Sequence, residues 1–173
     1  MFMAIVGTLE HLTFGLPAEA WWMAGLALAI LGATAAVDGW SGRVPDTGIF
    51  FGLMLTLAVR GVYGGWDAAA MNFFIALLVA ALIYGANQLY YRWRKRDALG
   101  MGDAKWTALA VMNFGLKPVA VAWGVGAWLG LFWLLGLWMV RKLRRQKTPT
   151  TQIHFAPFLF LGLLAGLYGL YLR

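Results

Sequence analysis

Asp38 closes a long apolar run that starts at Trp21-Trp22-Met23 and ends at Ala35-Ala36-Val37. Asp103 opens another, Trp106 to Phe114, directly after Gly100-Met101-Gly102. The chain has only seven acidic residues. An ionisable group at the rim of an apolar helix costs several kcal/mol unless it is paired, and is a functional candidate by default. Two carboxylates brought together share one proton and titrate as a unit. The ionised member can then take a proton from water while the protonated member polarises a carbonyl. Such a dyad needs neither a metal nor a covalent intermediate. Each residue alone has a plainer role: Asp103 as a helix N-cap, worth roughly 1 kcal/mol, and Asp38 as a counter-charge to Arg43.

Around the first aspartate the chain reads Asp38-Gly39-Trp40-Ser41-Gly42-Arg43-Val44-Pro45-Asp46. Pro45 disfavours helix at Val44, so Asp38 is expected to end a helix against a tight turn. The second segment, Gly100-Met101-Gly102-Asp103-Ala104-Lys105, has two glycines that let the backbone approach a partner closely. It is not a dinucleotide loop: position 105 is Lys where the third Gly would stand, and no strand precedes it.

The elements that must position these residues are apolar helices. With 62% hydrophobic and 12% charged residues and a mean hydropathy of +0.71, the composition excludes an ordinary soluble domain. Ten Trp and six Tyr suit the headgroup region of a bilayer. The expectation is an all-α polytopic membrane protein, a bundle of about six transmembrane helices. The spans run near 19–37, 48–63, 68–91, 103–114, 119–140 and 155–172. Residues 1–18 form an N-terminal extracytoplasmic segment and 19–173 the membrane-embedded domain. Residues 1–17 lack a basic n-region and contain Glu10 and His11, unlike a removable signal peptide.

A net charge of +7 does not point to nucleic acid, because the basic residues cluster in short loops between apolar spans. Without cysteine the chain has no thiol nucleophile, disulfide or Cys-based zinc site. No cofactor or metal is expected. Gly48/Gly52, Gly126/Gly130 and Gly162/Gly166 are small-residue pairs that permit close helix approach, within one bundle or between two copies.

Orientation follows from the positive-inside rule. Arg43, then Arg92, Arg94, Lys95 and Arg96, then Arg141, Lys142, Arg144, Arg145 and Lys147 follow the odd-numbered spans, against Lys117 and Arg173 on the other side. The odd loops are therefore expected in the cytoplasm and both termini outside. Asp38 lies about 25 Å along a helix from Trp21 and Trp22, and Asp103 about 21 Å from Lys117, at ~1.5 Å per residue. Both carboxylates should sit just below the cytoplasmic surface.

These residues resemble the type IV prepilin peptidases, the Gly-x-Gly-Asp membrane aspartic proteases. Gly100-Met101-Gly102-Asp103-Ala104-Lys105 matches the Gly-x-Gly-Asp-x-Lys signature. Asp38 followed by Arg43-Val44-Pro45-Asp46 matches the first-aspartate motif, with Asp46 in place of the usual Asn. Ile153-His154-Phe155-Ala156-Pro157-Phe158-Leu159 is similar to the last-helix Pro-Phe-Gly-Pro-Phe-Leu pattern, with His154 for a common Pro.

The resemblance implies an aspartic endopeptidase in the cytoplasmic (inner) membrane, its site facing the cytoplasm. It would remove the short basic leader from a prepilin or pseudopilin. Asp38 and Asp103 would be catalytic. Gly100, Gly102, Lys105, Arg43, Pro45 and Asp46 would support them, and His154, Phe155 and Pro157 would neighbour the substrate. Lys105 would either meet an acidic substrate residue or snorkel to headgroups. Membrane lipids, and pilus or secretion machinery, are the further partners. The lack of Cys-x-x-Cys pairs and of a cytoplasmic insertion resembles the short Tad-type peptidases and gives no basis for methyltransferase activity. Helix dipoles favour negative charge at Asp103 over Asp38 by about 0.3–1 kcal/mol, making Asp103 the candidate base unless local geometry reverses the bias. Two other readings are a proton- or ion-coupled transporter using the same carboxylates and a non-catalytic pilus-assembly subunit.

Overall fold

The computed structural model describes residues 21–95, 100–143 and 154–171. The segment 1–18, Arg96, Asp97, Arg144, Arg145, Lys147, Ile153 and Arg173 lie outside the described residues. Among the described residues the chain is all-α. Its helices are α1 Trp21–Ser41, α2 Asp46–Gly64, α3 Trp66–Arg94, α4 Met101–Phe114, α5 Leu116–Leu143 and α6 Ala156–Tyr171. By length and composition α1, α2, α3 and α5 are able to cross a membrane, whereas α6 is apolar but shorter.

The short helix is the centre. All five others touch α4, and around it α3 packs on α2, α2 on α1, α1 on α6 and α6 on α5. From Asp103 to Phe114 every residue of α4 except Lys105 is buried. Trp106, Leu109, Met112 and Phe114 have almost no exposed surface. A helix buried on every side carries no polar stripe. Its 14 residues rise only about 21 Å, so its final carbonyls end inside the bundle, where donors must be found.

Arg60 supplies one. It is buried on α2, within an otherwise apolar run, and its Nη2 donates to the Asn113 carbonyl at 3.1 Å. Asn113 Nδ2 in turn donates to the Leu109 carbonyl at 2.9 Å and to Thr56 Oγ1 at 3.2 Å. The arginine in the second span is thus explained by the early end of the fourth.

Helices α5 and α6 approach backbone to backbone. A Cβ added at Gly126 would lie 3.1 Å from the Phe158 carbonyl oxygen, and one at Gly166 2.9 Å from that of Pro118. One at Gly162 would overlap the Ala122 carbonyl. Gly52 instead makes room for the Leu109 side chain, 2.9 Å from an added Cβ, and Gly48 lies in ordinary contact with the Thr34 side chain. The small-residue pairs therefore pack helices of one chain together.

Two of the boundary differences from the sequence reading bear on acidic residues. α1 continues past Val37 to Ser41, placing Asp38 inside its last turn. The stop comes at Gly42, whose φ of +68° is left-handed and whose N–H bonds the Asp38 carbonyl at 2.8 Å, the usual glycine ending of a helix. At the other end of the bundle α3 begins at Trp66, so Asp67 stands in a first helical turn rather than a loop, where a carboxylate complements the dipole.

Candidate active site

Three chain segments converge at one end of the bundle: the last turn of α1 with the turn after it, the first turn of α4, and residues 154–157 leading into α6. Asp38 and Asp103 are each 6% exposed. Although 65 positions apart by their numbers, the two carboxyl groups interact electrostatically.

Each is held by backbone donors. The Ala156 N–H at the start of α6 donates to the Asp38 carboxyl group. Asp38 Oδ2 is buried with no hydrogen-bond partner among the described residues. The Gly100 N–H donates to Asp103 Oδ2 at 3.2 Å, while the Asp103 N–H donates to the Gly100 carbonyl at 3.1 Å. The first bond is the carboxylate half of a capping box; the second is a backbone bond closing the first turn. Asp103 therefore caps α4 and faces Asp38 at once; the plain role and the chemical one coexist.

The turn bearing Asp103 is anchored on two sides. Thr107 Oγ1 donates to the Asp103 carbonyl at 2.6 Å and accepts from Trp123 Nε1 on α5 at 3.1 Å. Trp106 Nε1 donates to the Leu31 carbonyl of α1 at 3.1 Å. These bonds set the height of α4 against its neighbours.

The two aspartate-bearing segments also touch directly. A Cβ at Gly102 would lie 2.6 Å from Val44 Cγ2, so only glycine lets the start of α4 slide beneath the Val44-Pro45 turn. Beside this contact Lys105 Nζ pairs with Asp46 Oδ1 at 2.7 Å; the side chains are 37% and 72% exposed. Asp46, where the resembled motif has Asn, is engaged by Lys105 of the other motif. Pro45 precedes α2 as its N-cap with φ −68°, and Arg43 is exposed in the turn.

The last segment divides. The His154 ring lies over Gly42, where an added Cβ would be 2.5 Å from its Cε1, and interacts electrostatically with Asp38. Pro157 Cγ would be 3.4 Å from a Cβ at Gly39, against the last turn of α1. Phe155 packs on Trp123 with ring centroids 5.5 Å apart, and also on Phe158. Its ring thus belongs to the α5–α6 interface.

No family model, curated protein or solved structure matches this chain. The reading of the site rests on its own residues.

Sequence reasoning did not find Ala156, Val44, Thr107 or Trp123. An alanine that contributes its N–H, or a valine that fills the space above a glycine, has no chemical signature in a sequence. Thr107 had one: a hydroxyl one helical turn after a candidate aspartate commonly bonds back to the carbonyl four residues earlier.

Proposed function

We propose that the chain is a membrane aspartic endopeptidase of the prepilin peptidase type, removing the leader from prepilin or pseudopilin precursors at the cytoplasmic face. One observation carries this reading. Two buried carboxyl groups from opposite motifs interact at the same end of the bundle, each held by backbone N–H groups.

In this reading all six helices lie within the bilayer, with α4 and α6 as the shorter members. Both termini are outside, and the dyad sits at the cytoplasmic rim. The exposed Lys105–Asp46 pair marks where the bundle meets water. Water reaches the dyad from that side while the apolar helix of the substrate stays in lipid.

The ionised aspartate takes a proton from the attacking water, and the protonated one hydrogen-bonds the scissile carbonyl oxygen. The carbonyl carbon gains the water oxygen, the C–N bond breaks, and the departing amine leaves with a proton. The buried, unpartnered Asp38 Oδ2 suits the carbonyl-facing role, and Asp103 at the start of α4 suits the base. A relay of protons across the membrane is less well supported. Among the described residues, Thr56, Arg60 and Asn113 are hydrogen-bonded toward the far end of α4, and none of the three is a carboxylate.

The test is co-expression of a candidate prepilin with wild type, Asp38→Asn and Asp103→Asn in membranes, scored by loss of the leader. Cleavage by wild type and by neither variant at equal abundance is expected, a drop of at least ~10³-fold for an essential acid or base. Persistent cleavage by either variant would overturn the dyad.

A further inference from the structure

The site contains a third ionisable group that the dyad mechanism does not use. His154 precedes α6, and its ring occupies the space over Gly42, within 3.1 Å (Nδ1) and 3.5 Å (Nε2) of where a Cβ would stand. Gly42 has φ +68° and bonds the carbonyl of Asp38 through its own N–H. Two residues after His154, the Ala156 N–H bonds the Asp38 carboxyl group. The imidazole is therefore bracketed by two backbone contacts to the same aspartate and interacts with it electrostatically. Position 42 is kept free of a side chain for two reasons, the turn and the ring.

We propose that His154 is a positioning residue for Asp38, an imidazole seated on the Gly42 turn whose charge sets the pH range in which the carboxyl pair works. The inference rests on the peptidase reading for its consequence, though not for its geometry. Histidine is the side chain whose ordinary charge change falls between pH 5 and 8. Among the described residues, the charged or titratable groups on the surrounding elements are few. They are Asp38 on α1, Arg43 in the turn, Asp103 and Lys105 on α4, Asp46 on α2, and Arg141 and Lys142 in the last turn of α5. A protonated imidazole beside the carboxyl pair favours the single negative charge that the pair carries in its working state, whichever member holds it. Once the imidazole is neutral, that support is lost.

The experiment has two arms. The chain has two histidines, His11 and His154, so His11→Gln leaves a single imidazole for ¹⁵N NMR of the full chain in lipid nanodiscs. In that background Asp38→Asn should alter the pH dependence of the His154 ring shifts. Identical titration curves would overturn the proposal, whatever reaction the protein performs.

The second arm is the pH profile of prepilin cleavage. His154→Gln should move the acidic edge of activity toward neutrality by about half a unit or more. His154→Lys, which keeps the charge, should move it back. Superimposable wild-type and His154→Gln profiles would also overturn the proposal. Coupled titration without any cleavage by wild type would instead sink the peptidase reading and leave the His154–Asp38 pairing standing.

Discussion

At the scale of single residues, the site depends on what is missing as much as on what is present. Gly102 has no room for a methyl group because Val44 fills it. Gly102→Ala should cost about 1–3 kcal/mol through overpacking and lower cleavage more than abundance, because the displaced turn begins with Asp103. Val44→Gly in the same chain should restore much of the loss; if it does not, the clash is not the cause. The Lys105–Asp46 pair is exposed and so worth only about 0.2–1 kcal/mol, yet it ties the start of α4 to the start of α2. Asp46→Lys alone should reduce activity several-fold and Asp46→Lys with Lys105→Asp should recover it, read as kcat/KM at low salt. Equal damage in the double variant would give Lys105 and Asp46 separate roles. Both aspartates and their glycines were legible in the sequence, because carboxylates at the edges of apolar runs stand out. The pairing of Asp46 with Lys105 was not. Nothing in the spacing distinguishes an internal partner for Lys105 from a substrate or a headgroup.

At the scale of elements, each departure from expectation has a local cause. The apolar run of α1 ends at Val37, but the helix continues because Asp38, Trp40 and Ser41 tolerate it. Ser41 Oγ even donates back to the Val37 carbonyl at 2.8 Å. Hydropathy locates the lipid-facing part of a helix, whereas a left-handed glycine decides where the helix stops. Among the described residues, the number and order of the helices were readable from apolar runs, but the centrality of α4 was not. Nothing in a 14-residue segment says that five others surround it. Its far end makes a test. Arg60→Met should destabilise the protein in detergent by about 1–3 kcal/mol, since it leaves the Asn113 carbonyl short of a donor. Activity per folded molecule should be nearly unchanged, as the dyad lies at the other end of the helix. A selective loss of activity would show that the Arg60 cluster acts on the site. Similarly, Gly162→Val should separate α5 from α6 and withdraw the Ala156 N–H from Asp38, lowering both stability and cleavage.

At the scale of the whole molecule, four helices are long and apolar enough to cross a membrane, and the placement of charge makes the proposed orientation testable. Large apolar side chains stand exposed along α3 (Phe74, Leu82) and along α5 (Trp128, Phe132, Trp138), as expected of faces turned to lipid rather than to water. A cysteine-free chain makes the topology directly measurable. Arg43→Cys and Asp67→Cys, both at exposed positions, should react with a membrane-impermeant maleimide from opposite faces, Arg43 from the cytoplasm. Labelling of both from one face would refute the proposed topology and with it the cytoplasmic site.

The burial of α4 also bears on how the protein is made. A segment of 14 residues falls short of the ~30 Å hydrocarbon core and begins with Asp103 and Lys105. As it leaves the ribosome it has too little apolar length to hold a place in lipid alone. In the proposed membrane topology it needs the cover of α3 and α5, which flank it in the chain and pack on it in the fold. The donor for Asp38, Ala156, is synthesised later still. A nascent chain thus carries both aspartates long before it can bring them together, and the proposed dyad is complete only when the last helix docks.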